Sequence, residues 1–577
     1  MFKNYVKIAL RNFLRHKTHA AINVFGLALG LASCLLILLH IQDELRFDAF
    51  HQNADRLFRV VGKQHRAGQE DSHFAYAAGP LGPALVNDFP EVEDAVRFFR
   101  GSRLTVKASE PGIIVRSYFF SEPSLFSVFD FALLQGDPKT ALAAPHTVVL
   151  TETSARQYFP KTGSVIGEQN PLGKTLKIEA EDFPEFGRHD YTVTGVLRDP
   201  PANSHLRFDL LISRTTIESF AETRDMTQSW DGGGVMTYVL LKPNQLPADL
   251  HDKFPAFSQK YRGQEASARA SFYLQPLKDI HFYSQHIRAE ENQREGEIVY
   301  VYVFSALALV IALIACINYM NLATALAANR AKEIGMRKVI GAQRLQLAGQ
   351  FLSESLLTTF AALLIAIGIV ELVLPAFNDL AGKKMALDLT ANAPMFLGML
   401  AMLLLIGVAA GSYPALYLSS FRPVTTLKGM LSSGAKHSRL RRVLVVAQFA
   451  LSIIMIIATL VVRDQLEYAR TKSLGFNQER LMVIDINHDD VQTNFKTIKT
   501  EFLRNAAVRH VTVSSRVPGD WKTFARFAWR KKARPKTRRR ACFSTASTKI
   551  FWRRMKSDSP PAEIFRGILP PIPPRCC

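Results

Sequence analysis

The sequence predicts an α-helical membrane protein with a large α+β domain outside the cytoplasm, and three observations predict it. Apolar residues make up 48% of 577 positions but gather in five long runs. A mixed interval, Gln42–Ile298, separates the first run from the second. Lys and Arg crowd the segments on one side of those runs.

Crossing about 30 Å of hydrocarbon at 1.5 Å per residue takes about 20 mostly apolar residues. Residues 20–41, 299–322, 351–374, 394–418 and 443–462 meet that length. One such run can be the buried helix of a soluble core, but five argue for a membrane. The first follows a basic arm, residues 1–19, with Lys3, Lys7, Arg11, Arg15 and Lys17. That is the flank of a signal peptide, yet the run outlasts a typical apolar signal region. It leads into Phe47, Asp48 and Phe50 where small residues would mark cleavage, so it reads as a retained anchor.

Orientation follows from charge. The arm has five basic residues and no acid. The segment 323–350 holds Arg330, Lys332, Arg337, Lys338 and Arg344, and the linker 419–442 holds Arg422, Lys428, Lys436, Arg439, Arg441 and Arg442. The loop 375–393 has only Lys383 and Lys384, balanced by Asp379 and Asp388. The positive-inside rule puts the first three in the cytoplasm and the last outside, and strict alternation of five helices agrees. Residues 42–298 are then extracytoplasmic. Strand-like runs such as "HTVVL" (146–150) and "YTVTGVL" (191–197) alternate there with turn signals such as "GDP" (136–138) and "RDPPANS" (198–204), which reads as an α+β domain. Cys34 and Cys316 fall in predicted helices and the domain has no cysteine, so size and not disulfides must supply its core.

No catalytic constellation is visible. His73 stands alone in sequence, and His281 and His286 have neither a cysteine nor an acid pair beside them, a poor zinc pattern. No G-x-S-x-G, H-E-x-x-H or phosphate-loop motif occurs; "GEQNPLGKT" from Gly167 has one residue too many between its glycines. The chain is therefore expected to bind no ATP, metal or other cofactor itself. The few polar residues in the runs, Asn318, Asn321, Glu354, Glu371 and Gln448, suit packing or interfacial roles.

A weak internal repeat pairs "LRNFLRHK" (10–17) and "ADRLFRV" (54–60) with "SRLRRVLV" (438–445) and "QERLMVI" (478–484), each couple flanking an apolar run. Residues 463–521 then read as the start of a second outside domain.

These residues support a family comparison. "YVKIALRNFLRHK", "FDAFHQNADRLFRV", "DFALLQGDPKTALAAPHTVVLTETSARQYFP", "NPLGKTLKI" and above all "RAKEIGMRKVIGA" resemble the FtsX/MacB-like permease subunits of bacterial ABC transporters, especially the long duplicated type. The resemblance covers roughly Met1 to Trp521. It implies a multi-pass protein of the bacterial inner membrane with its N-terminus in the cytoplasm. It also implies a separate ATPase subunit, pairing with a second copy or a similar permease, and a periplasmic adaptor. In such permeases the segment after the second helix is a short cytoplasmic coupling element, which points to Glu333, Ile334, Gly335, Arg337, Lys338, Val339 and Gly341. The physics is compatible: Glu333, Arg337 and Lys338 can share nearly one helical face, Ile334 and Val339 offer apolar contact, and Gly341 can end the helix. ATP binding by the partner would move this segment, tilt the helices as stiff rods and reshape the outside domain, for export or force transmission. A receptor or scaffold that binds a ligand outside is the competing reading.

From Lys522 onward the pattern breaks. Residues 522–577 hold 16 Lys/Arg against Asp558 and Glu563, a net of +14, leaving +7 of the formal +21 for everything before. Arg-rich character suggests nucleic acid, but five crossings place this tail outside the cytoplasm, and it lacks periodicity. The expectation is a disordered tail without function, where a shift of reading frame has replaced a second outside domain and three further helices.

Overall fold

In a computed structural model of the chain, each apolar run lies inside a helix longer than the run itself. The structure describes residues 17–512 apart from 66–67, 69, 102–103, 108–111, 116, 160–169, 181–187, 231–233, 289–295, 388–392, 420–434, 473–480, 483 and 485–493. The long helices are α1 (Lys17–Leu45), α2 (Ile298–Val339), α3 (Arg344–Ala381), α4 (Ala393–Ser419) and α5 (Ala435–Thr471). Each contains a stretch long and apolar enough to cross a membrane. The first 16 residues of the basic arm, most of the linker 419–442, most of "QERLMVI" and the whole tail 522–577 lie outside the described residues.

The helices outrun the apolar windows because polarity ends a membrane span without ending a helix. Beyond residue 322 the sequence "ATALAANRAKEIGMRKV" is rich in Ala, Glu, Lys and Arg, all good helix formers, so α2 continues unbroken to Val339. The segment 323–350 is thus the joined ends of two rods. At the other end α3 passes through Pro375, where the window stopped, to Ala381. Its end is secured by the left-handed cap at Gly382 and by Asn378, whose side chain donates to the Met385 carbonyl (2.8 Å) and accepts from the Met385 amide (3.0 Å). The loop expected over 375–393 shrinks accordingly.

Helix α1 lies against α2 and α3, and α4 against α3 and α2. Val24, Leu27, Ala28, Leu31 and Leu35 form one buried stripe of α1 at helical spacing. In lipid, helices gain no hydrophobic drive by associating, so van der Waals contact between small residues carries the packing. Two G-x-x-x-G pairs supply it. A Cβ added at Gly30 of α1 would lie 2.8 Å from the Ala315 Cβ of α2, and one at Gly411 of α4 would lie 2.6 Å from the Ser355 Cβ of α3. The Ser355 hydroxyl also donates to the Gly407 carbonyl at 2.8 Å. Gly411→Leu should therefore destabilise the α3–α4 seam by about 1–3 kcal/mol through overpacking. Gly398→Leu on the same helix, where an added Cβ meets nothing within 4 Å, should not; thermal unfolding of the two variants in detergent compares them.

Between α1 and α2 stands a mixed sheet of fourteen strands among the described residues. Its central run uses β1 (Leu57–Gln64), β2 (Val92–Gly101), β3 (Tyr118–Ser121), β4 (Thr147–Thr151), β5 (Arg188–Leu197), β6 (Leu210–Ser213) and β7 (Val235–Leu241), in the order β1-β7-β2-β3-β6-β4-β5. β8 (Ala270–Pro276) pairs antiparallel with the other edge of β1. β3 with β6 and β4 with β5 are parallel, and the rest of this run is antiparallel. Both faces are covered. Val148 and Leu150 of β4 join one core with Tyr118, Phe120 and Ile212, while Val149 between them joins another with Phe98, Phe119 and Leu211. That is the period of two, with apolar residues on both sides of the pleat. β4 then feeds a helix, Glu152–Tyr158, whose N-cap Thr151 accepts from the Ser154 amide at 3.2 Å.

The chain divides into two compact units, residues 1–453 and 454–577. In the second, α5 runs on to Thr471 and a ten-residue amphipathic helix, Phe495–Arg504, follows.

Candidate functional site

Helices α2 and α3 meet in a four-residue elbow, 340–343. The turn is built by hydrogen bonds at the helix end: the Gly341 amide donates to the Lys338 carbonyl (3.1 Å) and the Ala342 amide to the Arg337 carbonyl (3.0 Å). This pairing needs a left-handed residue after the cap, and Gly341 takes φ +99°. On the far side the Gln346 side chain accepts from the Gln343 amide at 3.2 Å, closing the first turn of α3. Both helix ends are satisfied, so the elbow joins its rods stiffly. By the 1.5 Å rise, the 15 residues of α2 past Thr324 reach about 22 Å beyond its apolar span.

The predicted coupling residues divide within this element. Glu333, Ile334 and Gly335 are helical, and their side-chain surroundings lie outside the described residues. Arg337 and Lys338 face inward. Arg337 Nη1 donates to Gln350 Oε1 at 3.0 Å, and Gln350 in turn donates to Glu354 at 3.4 Å, which ties α2 to α3. Lys338 Nζ donates to the Ser419 carbonyl at 2.5 Å, reaching the end of α4. Burial, with Arg344 nearby, lowers the pKa of Lys338 below the usual lysine value. Beside the exposed Gln343, Arg344 and Gln346, four apolar side chains face outward: Met336 (57% exposed), Val339 (64%), Ile340 (80%) and Leu345 (83%). The sequence reading named Val339 and passed over the other three. Their signal was present, since apolar residues interrupt a basic turn, but only the fold shows which of them point away from α3 and α4.

A second cluster went unseen in the sequence. At the end of the bundle nearest the α+β domain Lys383 pairs with Asp43 (2.6 Å) and with Glu44, and Glu44 also meets His281 Nε2 at 2.7 Å. Lys383, one of the two cations in the charge-balanced loop 375–393, thus neutralises the end of α1. α1 therefore continues past residue 41 to Leu45, with its terminal acids paired. His281 stacks on Phe47, ring centroids 3.8 Å apart, joining this cluster to the next residues of the chain.

The stretch "FDAFH" (47–51) then clamps α1 to the α+β domain. Asp48, at φ +55°, is buried; its carboxylate accepts from the Ser204 hydroxyl (3.1 Å) and the His205 amide (3.0 Å), with His205 Nδ1 at 2.9 Å. His205 Nε2 reaches the buried Tyr238 hydroxyl at 2.8 Å. His51 Nδ1 accepts from the Asp130 amide at 3.0 Å and lies edge-on to Phe129 and Phe131. Burial drives the His51 pKa down to about 4, against the pull of Asp48. The histidines thought isolated are also placed: His73 lies beside His286, ring centroids 5.0 Å apart, while His281 is turned to Glu44. Among the described residues no three His, Cys, Asp or Glu converge as metal ligands.

Comparison with known proteins follows the same division. A family model for the MacB-like periplasmic core domain matches residues 20–257. One for the FtsX-like permease C-terminal domain matches residues 305–423. The chain is 30% identical over 284 residues to a macrolide export ATP-binding/permease protein MacB of Bdellovibrio bacteriovorus, covering 48% of this chain and 38% of that protein. It is 31% identical over 143 residues to a protein of the same description from Nitrobacter winogradskyi, covering 24% of this chain and 20% of that one. The matched regions thus span well under half the length of these curated relatives. Among solved structures, the periplasmic region of MacB from Actinobacillus actinomycetemcomitans aligns at 13% identity and a TM-score of 0.27, over 39% of this chain and 91% of that one. With a MacB-like periplasmic core domain match that includes its first long helix and an FtsX-like permease domain match across the next three, the chain is similar to FtsX/MacB-like permeases in both parts.

Proposed function

We propose that this chain is the membrane subunit of an ABC transporter and that the elbow 340–343, with the ends of α2 and α3, receives the stroke of a separate ATPase subunit. The observation that carries the reading is the outward apolar set Met336, Val339, Ile340 and Leu345 on a turn that basic residues brace from behind. A cluster of exposed apolar side chains beyond the membrane-spanning length is the mark of a protein partner. Arg337 and Lys338 hold the elbow to α3 and α4, so a push at the turn is delivered to three helices together. Glu333, Ile334 and Gly335 of α2 are included in the docking element on the family resemblance, and Gly341 shapes its turn.

In this reading the elbow is cytoplasmic, the N-terminus is cytoplasmic, and the membrane is the bacterial inner membrane. ATP is bound by the partner. The helices transmit its cycle to the periplasmic domain for export or force transmission, in a pair with a second copy or a similar permease and with a periplasmic adaptor. Ile340→Asp and Leu345→Asp alter exposed side chains and should leave the thermal transition unchanged. Each should cut co-purification of the partner ATPase at least about tenfold, a loss of about 1.4 kcal/mol or more. Glu333→Ala with Arg337→Ala should act in the same direction. Undiminished co-purification by the two aspartate variants would overturn the assignment.

A further inference from the structure

Three side chains from distant parts of the sequence meet on the outer part of the sheet. His73 sits on the strand Ser72–Phe74, opposite Lys63 of β1. Tyr273 sits on β8, opposite Val61 on the other edge of β1. His286 immediately precedes the two-residue strand Ile287–Arg288, which runs parallel to Ser72–Phe74 with Ile287 opposite His73. Beneath them Val61, Ala75 and Ile287 make a buried floor against which Tyr273 packs. The Tyr273 hydroxyl is 3.1 Å from His73 Nδ1 and 3.4 Å from His286 Nε2. A phenol has one proton, so it can donate to only one of the two imidazoles at a time.

We propose that His73, His286 and Tyr273 form a binding site for a divalent late transition-metal ion, Cu²⁺ or Zn²⁺. Imidazole nitrogen is the side-chain donor these ions favour. A tetrahedral ion with bonds of about 2.0–2.1 Å holds its ligand atoms about 3.3 Å apart, and the two nitrogen–oxygen separations bracket that value. Two imidazoles supply the affinity and the tyrosine oxygen a weaker third position, leaving a fourth open to water. The charge nearby is nearly balanced, because Lys63 is paired with Asp71 at 3.0 Å and Asp71 also holds His65 at 2.9 Å. An ion here would tie three strands together ten residues before α2 begins.

The test uses the full chain in detergent micelles, with Zn²⁺ and Cu²⁺ each titrated against a chromophoric chelator at pH 7.5 and Ca²⁺ as the hard-ion control. One ion per chain should bind, Cu²⁺ more tightly than Zn²⁺, without competition from Ca²⁺. His73→Gln and His286→Gln should each weaken binding at least about tenfold, and Tyr273→Phe less. Thermal transitions of the metal-free variants separate loss of ligand from loss of fold. Binding unchanged in both glutamine variants with intact transitions, or no stoichiometric binding in the native chain, would overturn the site. Neither readout involves an ATPase partner.

Discussion

Asp48→Ala is expected to destabilise the chain by about 1–3 kcal/mol for each buried donor it leaves without an acceptor. Two groups lose their acceptor together, the Ser204 hydroxyl and the His205 amide. His205 also links this knot to Tyr238 in the centre of β7, so the loss is felt within the sheet. A second cost comes from the backbone, because φ +55° at residue 48 is a region that Asp and Asn tolerate better than Ala. Asp48→Asn keeps that tolerance and an acceptor oxygen but gives up the charge, and about 1 kcal/mol is expected from it. Thermal or denaturant unfolding of the full chain in detergent distinguishes these costs. Equal stability of Asp48→Ala and Asp48→Asn would show that the carboxylate knot is not what fastens α1 to the domain.

Acid should loosen the same joint through His51. Its folded pKa, about 4, lies below the ordinary 6.5, so the unfolded chain binds the proton more readily. The contribution of the neutral ring is therefore fully present above about pH 6.5 and is lost as the pH falls toward 4. A separation of about 2.5 units at 1.36 kcal/mol per unit makes this about 3 kcal/mol. His51→Gln retains an acceptor for the Asp130 amide without titrating. It should flatten the fall in stability between pH 6.5 and 4 by that amount while costing less at neutral pH. Parallel melting curves for the native chain and the variant at pH 7, 6, 5 and 4 measure the difference, and superimposable pH profiles would exclude His51 as the titrating group.

Both predictions concern a joint that was only half legible. "FDAFHQNADRLFRV" stood out as a motif, but its chemistry depends on residues about 80 and 155 positions away, Asp130 and His205. No periodicity or spacing rule relates positions so far apart. The same holds for Lys383, which pairs with the end of α1, and for His73 and His286, which stand apart in sequence and side by side in the fold. The elbow was legible to a greater degree, because glycine, a basic run and flanking apolar stretches are local signals. Even there, the division of Arg337 and Lys338 from Ile340 and Leu345 into bracing and outward-facing groups required the positions of α3 and α4.

The fold class, a helical membrane protein bearing an α+β domain, was determined by the sequence alone, because span length and strand alternation are properties of neighbouring residues and of the solvent they meet. Where α1 stops was decided by tertiary structure, because Lys383 from a distant segment pairs with its terminal acids, whereas α2 runs on by local helix propensity and α3 ends on the local cap of Gly382 with Asn378. The close seams at Gly30 and Gly411, the Asp48 knot and the histidine pair were likewise decided only in three dimensions, since each rests on contact between segments that the chain itself does not bring near one another.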